Sequence, residues 1–538
     1  MSEYLYGTYG HLAGSIVQAT ADVSTVALYV GTAPVNLVRG YADAGIINKP
    51  VKLSNNLDAQ EKIGTASDWN KYSLSEAVAA HFANSNGNIG PIYVINVLNP
   101  DIHRKSAATT KSLNFVGGSA SFESEDIILD TLAIAGKAEG TDYVVKYNFE
   151  SHKVSIISVS EDAPLDGAVT VTYNEIDTTN ITEGDIIGSK TDAGVYTGLQ
   201  AAELVYQMFD VVINIFAAPK WSEKPNVYRA LVAAATKLNG HWDGFVYADI
   251  PLVYDAVSYS EVDSPTGNPS TKGYYELVDG KYVESEDTTV DAGKTYYEKA
   301  VTPTENNTIA KAVAWKAANG YTAERSKVFY PQAKGTDGNV YHLSSLAVAE
   351  TLRVDFQHDG VPMESCGNKA IPVNKQYFGA ASTNEGFSVT EANNLCANGI
   401  DTLAFWGGAW KLWGDHTAAY IYGSADVDPR DIFDVSMRML LFLTNRFQRT
   451  WASTIDKPFT KQLKDTILTR EQERLDALVV MGALIGSPKI VFEESHNSLD
   501  DLRNGNFRWD IQVTPTPPMK SASAYVAYTD AGFSAYFS

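Results

Sequence analysis

The sequence predicts a multidomain protein of mixed α/β and α+β class, and three observations carry that prediction. Short, apolar, β-rich runs alternate with segments of helical spacing near the start of the chain and again in its middle. Between these two regions, from about 101 to 197, the texture changes to short alternating runs punctuated by Gly, Asp and Asn. Towards the C-terminus two long helical segments follow one another directly. A chain of 538 residues, 44% hydrophobic and 20% charged, is long enough to build several cores.

Taken in order, "VALYVGTAP" (26–34) and "PIYVINVLNP" (91–100) read as buried strands. "SLSEAVAAHFAN" between them reads as a helix with Ser73 as cap and Glu76 three residues on, giving a βαβ-like unit. "DYVVKYNFESHKVSIISVS" and "GAVTVTYNEI" mark an all-β insertion. The α/β rhythm resumes with a helix "LQAAELVYQMF", a strand "VVINIFAAP", a helix "NVYRALVAAATKLNG" closed by Gly240, and a strand "GFVYADIP". A second interruption, 255–305, carries Tyr274-Tyr275 and Tyr296-Tyr297 around a "VDGK" turn and reads as a surface hairpin module. The helix pair begins at "DPRDIFDVSMRMLLFLTNRFQRTWAS", with Asp428 and Pro429 as cap and first turn, and continues in a second helix with Pro458 near its start. A strand, a short capped helix, another strand, the breaker Pro517-Pro518 and a last β-prone run then close the chain on strands.

The composition limits the chemistry. A formal charge of -22 without a basic block disfavours nucleic acid and anionic lipid as partners. Two cysteines, Cys366 and Cys396, exclude a disulfide framework and suit a reducing compartment. No secretory leader and no membrane-length apolar run is found, so cytoplasmic synthesis is expected. There is no GxxxxGK[ST], no GxGxxG after a strand, no HExxH and no CxxC among the nine scattered histidines, so neither cofactor nor metal is expected. GxSxG is absent as well. His342 stands beside Ser344 and Ser345 in "YHLSSLAVAE", where the serines read as helix caps, and Asp249 ends a strand, as a catalytic acid or as a turn residue.

The most conspicuous stretch is "IDTLAFWGGAWKLWGDHT" (400–417). It reads as a hairpin turning at Gly407-Gly408, with Trp406, Trp410 and Trp413 packing inward against the long helix that follows. A sugar-stacking platform and a catalytic Asp415/His416 corner are the alternatives; Asp415 and His416 are taken as structural.

Five stretches, in this order and spacing, carry a family resemblance: "VALYVGTAPVNLVRG", "LQAAELVYQMFDVVINIFAAP" with "GFVYADIP", "ESCGNKAIP", "EANNLCANGIDTLAFWGGAWKLWGDHT" and "DPRDIFDVSMRMLLFLTNRFQRTWASTIDKPFT". Together they resemble the tail sheath proteins of contractile bacteriophages and of phage-tail-like bactericidal particles. The resemblance implies an N-terminal arm over 1–22, an N-terminal α/β part over 23–100, and a β-sandwich insertion over 101–197. It further implies a subtilisin-like central domain without catalytic residues over 198–384, interrupted at 255–305 by a module outside the common pattern. A C-terminal sheath domain over 385–520 and a C-terminal arm over 521–538 complete the division.

The function implied is mechanical. Subunits would form stacked six-membered rings around a tail tube, with baseplate and tail terminator proteins as partners, in a virion assembled in the host cytoplasm. Both inserts would point outward, and Arg438, Arg446, Arg449 and Lys457 are the candidates for facing the tube. The arms, through Tyr4, Tyr6, Tyr9, Tyr525, Tyr528, Phe533 and Tyr536, would add strands to neighbouring subunits. A serine hydrolase on the same fold, and another tail tube or surface-layer protein, are the rival readings.

Overall fold

A computed structural model describes residues 25–84, 86–159 and 164–537. The expected N-terminal arm, with Tyr4, Tyr6 and Tyr9, lies outside the described residues. The centre is a six-stranded sheet of β1 (Ala27–Gly31), β2 (Pro50–Leu53), β3 (Ile92–Asn96), β4 (Ile215–Ala217), β5 (Phe245–Asp249) and β6 (Ser326–Phe329), in spatial order β6-β5-β4-β1-β3-β2. All neighbours are parallel except β2, which runs antiparallel to β3 at one edge and gave no signal of its own in the sequence. Strands β1, β3, β4 and β5 are buried along their whole length, as parallel strands covered on both faces must be.

Helix α1 (Ser73–Phe82) links β2 to β3. Ser73 is its first residue rather than its cap, because the Ser73 hydroxyl accepts a hydrogen bond from the Thr32 amide at 3.3 Å and so ties the helix to the exit of β1. The segment 199–209 is a 3-10 turn over Gly198–Leu204 followed by one α-helical turn over Val205–Phe209. Helix α2 (Pro225–Ala234) stops short of Gly240, since Lys237 and Asn239 already have positive φ.

Two three-stranded sheets form the insertion. Thr109–Phe115, Gly167–Tyr173 and Ala133–Ile134 make one, and Ser119–Glu123, Lys153–Ser158 and Tyr143–Asn148 the other. They enclose a separate core that includes Phe115, Phe122, Val154, Ile156 and Val171. The all-β texture stops at Tyr173: Ile176, Ile181 and Ile186, the last on a short helix, pack into the main core instead. The second interruption is a four-stranded antiparallel sheet built on the pairing of Val253–Glu261 with Tyr296–Glu305, which leaves the body just after β5.

Helices α3 (Ile309–Asn319), α4 (Leu343–Gln357) and α5 (Val389–Ala397) lead to β7 (Thr402–Trp406) and β8 (Ala409–Trp413), the predicted hairpin. It continues the central sheet, because the Asp401 amide donates to the Val328 carbonyl at 2.8 Å and the Tyr330 amide to the Asp401 carbonyl at 3.0 Å. The expectation that its three tryptophans all pack inward is corrected. Side chains alternate along a strand, so Leu403, Phe405, Trp410 and Leu412 share one face while Trp406 and Trp413 take the other. Trp410 is half-buried against the main core, the Trp413 indole donates to Asn393 on α5 at 2.8 Å, and Trp406 at the tip is 54% exposed.

Helices α6 (Asp434–Trp451) and α7 (Lys461–Met481) close a third core through Met439, Phe442, Leu443, Leu475 and Leu478. Asp428 and Pro429 open a separate 3-10 turn that precedes α6 rather than α6 itself. Lys489–Val491 and Asp510–Gln512 pair as a two-stranded sheet. The chain does not end on strands: 521–529 has no ladder partner among the described residues, and Asp530–Tyr536 forms a 3-10 turn. No helix among the described residues is long and apolar enough to cross a membrane.

Candidate functional site

The strand order reverses at β1, and in open parallel sheets the crevice at the carboxyl ends beside such a reversal is where ligands settle. In this protein that position is filled by its own side chains. The first turn of α4 drops onto the end of β5, where the Ser344 amide donates to Asp249 Oδ1 at 3.0 Å and its hydroxyl to Asp249 Oδ2. The Ser345 hydroxyl donates to Glu76 Oε1 on α1 at 2.8 Å. The serines therefore do not cap their own helix; they satisfy buried carboxylates on two other elements.

His342 faces two glutamates, with Nδ1 at 2.8 Å from Glu76 and Nε2 at 3.3 Å from Glu223. Burial works against its charge, yet the two carboxylates outweigh burial and hold the imidazolium well above its ordinary pKa. Asp249 is pushed up to about 6 by burial, with His342 and Ser344 opposing. A serine hydrolase needs its base hydrogen-bonded to its nucleophile. Here both ring nitrogens meet glutamates and the Ser344 hydroxyl is given to an aspartate, so the constellation is a clamp joining α1, β5 and α4.

A second polar centre lies at the start of α6, on the face of the sheet that α4 also covers. Lys327, on β6, is 1% exposed; its Nζ lies 2.6 Å from Asp434 Oδ2 and 2.7 Å from Asp401 Oδ2. Burial favours the neutral amine, but the Asp434 carboxylate together with Cys366 and Asp415 outweighs it and raises the Lys327 pKa. One turn along α6, Arg438 pairs with Asp355 of α4, which also accepts from the Thr25 hydroxyl. Helix α6 thus brings one acid and one base, and the central domain answers with one base and one acid. Such a pair is costly to desolvate and strongly destabilising to half-remove, so it fixes the relative seating of the two parts.

Arg438 is corrected as a tube-facing candidate, being 5% exposed and committed to Asp355 inside the subunit. Arg446 is half-buried over the Phe442 ring at 5.7 Å, and Arg449 donates to the Asp210 carbonyl at 3.1 Å. Lys457 is exposed. Asp415 and His416 are also internal: His416 donates its Nδ1–H to the Ile432 carbonyl at 2.9 Å and stacks on Tyr420 at 3.6 Å. Sequence reasoning missed Lys327, Asp401, Asp434 and Asp355. The available signal was a lysine inside the apolar run "SKVFYP", which requires a buried acidic partner.

The third feature is the C-terminal segment. Thr516 is tied down by its amide to Ala483 at 3.0 Å, and the Lys520 ammonium meets His416 Nε2 at 2.7 Å. Beyond Lys520 every described residue is exposed, including Tyr525 at 97%, Tyr528 at 81% and Tyr536 at 82%. Phe533 is 53% exposed and touches only Tyr536 among the aromatic rings, at 6.2 Å. A run so rich in exposed aromatics is incomplete as it stands.

No known family profile matches the chain. The tail sheath protein of Burkholderia phage BcepMu is 23% identical over 531 residues, covering 93% of this chain and 94% of that one. Over nearly its whole length the chain is similar to a phage tail sheath protein. The major tail sheath protein of Serratia phage KSP20 is 25% identical over 197 residues, 36% of this chain and 47% of its own. Among solved structures, the contracted sheath complex of an extracellular contractile injection system matches with a TM-score of 0.51 at 10% identity, covering 99% of each chain. At that identity the likeness bears on the fold alone.

Proposed function

We propose that this chain is the structural subunit of a contractile tail sheath, polymerising around an inner tube and contracting to drive that tube through a bacterial envelope. The observation that carries the reading is the aromatic segment after Lys520, exposed at every described residue, in a chain that matches a phage tail sheath protein over nearly its full length. Each arm adds a strand to a neighbour, and the short two-stranded sheet of Lys489–Val491 with Asp510–Gln512 is a suitable acceptor on its Asp510–Gln512 side, since Gln472 already occupies the Ile490 amide and the Pro488 carbonyl on the other. Main-chain pairing of this kind survives rotation of the subunit bodies, so a sleeve can shorten without coming apart.

The finer points follow from the same reading. The central sheet, numbered along the chain, runs 2-3-1-4-5-6, which supports a subtilisin-like domain whose crevice is plugged by Asp249, His342 and Ser344. The chain works mechanically rather than as an enzyme and needs no cofactor, since the energy lies in two packings of the same subunits. Stacked hexameric rings, a tail tube, a baseplate and a tail terminator are its partners, and assembly takes place in the host cytoplasm. The sandwich and the four-stranded module project outward from the sleeve, with Lys457 the remaining exposed candidate towards the tube.

Electron microscopy of the purified chain tests the reading. Hollow helical sleeves wide enough to enclose a tube are expected; flat arrays, or a strictly monomeric protein at high concentration, would reject it.

A further inference from the structure

Three segments singled out in the sequence meet at one side chain that was not. Asp401 comes from "NGIDTL", Ser365 and Cys366 from "ESCGNKAIP", and Asp434 from "DPRDIFD"; all surround Lys327. Lys327, Asp401 and Asp434 are each within 2% of complete burial. The two carboxylates are not equivalent. Asp434 Oδ1 accepts the Val435 amide at 2.7 Å, its Oδ2 accepts the Ser365 hydroxyl at 3.1 Å, and it stands in the first turn of α6, where a negative charge is favoured. Asp401 has no such support. Neither of its oxygens has a hydrogen-bond partner, although Lys327 Nζ is 2.7 Å from one of them. The amine therefore stands against the carboxyl group without making a well-directed hydrogen bond to it. Gly414, at φ +128°, lays bare backbone against the same group: a Cβ there would fall 2.1 Å from Asp401 Oδ1 and 2.5 Å from its Cγ.

We propose that Lys327 and Asp401 condense to an intramolecular isopeptide bond, with Asp434 as the proton shuttle. The step balances without any co-reactant. The Lys327 ammonium gives a proton to Asp434, which passes it on so that Asp401 becomes the neutral acid. The free amine attacks Asp401 Cγ, and a C–N bond forms as the C=O opens. Asp434 then takes the second amine proton and returns it to the departing hydroxyl; the C–O bond breaks, and one water leaves. One ammonium and one carboxylate become an amide, and nothing is oxidised or reduced.

The structure supplies what this reaction needs. Asp401 has no hydrogen-bond donor to its carboxyl oxygens in a buried site and is the electrophile, whereas Asp434, held by the Val435 amide and the Ser365 hydroxyl, is fixed beside the amine to relay its protons. Fixed contact between the reacting atoms replaces a bimolecular encounter, and the absence of water removes the competing hydration of both charges. The product fastens β6 to the residue that opens β7, so that the central sheet and the C-terminal part of the chain are covalently joined at their seam. None of this depends on sleeve formation.

Mass spectrometry of the wild-type chain, purified from the soluble fraction and then denatured, decides the matter without relying on any variant. The expected mass is below that of the sequence by one water, after allowance for the initiator methionine. Trypsin should yield a branched peptide joining 326–334 to 376–411, because an acylated Lys327 is not cleaved. A wild-type chain at full mass that releases 328–334 as a free peptide overturns the proposal. Lys327→Arg and Asp401→Ala should show full mass and no branched peptide. Asp434→Asn preserves the side chain's shape and removes its proton transfer, so full mass is expected there too; a branched peptide formed at the wild-type level in that variant would refute the role given to Asp434.

Discussion

The seam under α6 and the arm beyond Lys520 are opposites in every physical respect. The seam sets Lys327, Asp401, Asp434, Arg438 and Asp355 in a site each enters at 5% exposure or less, and each meets its counterpart within the subunit. The arm carries uncharged aromatic residues, and its side chains lie in solvent. Charge buried with its partner specifies one seating of two rigid parts and tolerates little change. Apolar surface left exposed specifies nothing within the subunit and gains its free energy only when something covers it. The comparison teaches that one region is fixed by partners inside the subunit, while the other leaves apolar surface that only an added contact could bury.

The largest expected effect falls on assembly and not on folding. Deletion of residues 521–538 removes side chains that are exposed at every described position, so circular dichroism should be unchanged and the urea midpoint should stay within about 0.5 kcal/mol of wild type. Sleeves should be lost altogether in electron micrographs. Sleeves that persist, or a truncated chain that unfolds, would erase the distinction between the two regions.

The seam should respond in the reverse sense. Arg438→Met leaves Asp355 buried without its cation, and breaking such a pair costs about 3–5 kcal/mol. Lys457→Met, at an exposed position on the same helix pair's connection, should cost less than about 0.5 kcal/mol. Urea denaturation of the two variants side by side sharpens the contrast. Equal losses would mean that Arg438 is solvated and that the seam is not dry.

A smaller effect, visible only against pH, comes from the margin of the seam. Burial pushes Asp415 up to about 6, with Asp434 adding to the shift and Lys327 and Lys520 opposing it. Burial pushes the neighbouring His416 down to about 4, with Lys520 and Lys327 lowering it further. A carboxyl whose folded pKa is raised holds more protons folded than unfolded, so its contribution to stability declines as pH climbs from about 4 to about 6. A depressed imidazole holds fewer protons folded than unfolded, and its contribution grows from about pH 4 to about 6.5. The two slopes oppose one another over nearly the same range. Asp415→Asn removes the first and leaves the second, so acidification from pH 6.5 to 4 should cost the variant about 3 kcal/mol more than it costs wild type. Urea midpoints taken across that range check the sign, and parallel curves for the two proteins would dismiss it.

How much of this was legible in the sequence depends on whether the signal was local. The strands "VALYV" and "FVYAD" were readable because a parallel strand buried on both faces is apolar at every position, and the turn at Gly407-Gly408 because positive φ asks for glycine. Edge strand β2 was not, since "PVKL" carries no pattern until β3 is beside it. The seam was hidden for a stronger reason. Lys327, Asp355, Asp401 and Asp434 are spread along the chain, and only the fold brings them within hydrogen-bonding distance of one another or of Arg438. Tryptophans drew the eye instead, and three of them were assigned to one face although the period of a strand sends Trp406 and Trp410 to opposite sides.

That hairpin contains the comparison in miniature, and the smallest prediction concerns its far end. Its root, Asp401, lies in the seam at 2% exposure, whereas its tip residues Phe405 and Trp406 are 56% and 54% exposed. Trp406 meets Trp413 across the outer face with ring centroids 6.0 Å apart, an aromatic pair that contributes about 0.5–1.5 kcal/mol beyond area. Much of the ring is already in water, so truncation opens no cavity and the surrounding structure has little to lose. Trp406→Ala should therefore cost about 1 kcal/mol, well below the seam variant, even though tryptophan is the largest side chain in the sequence and Arg438 gave no comparable signal. A loss of about 3 kcal/mol or more in urea denaturation, the range of a core aromatic, would restore the inward packing that the sequence suggested and would place the tip of the hairpin with the seam instead of with the arm.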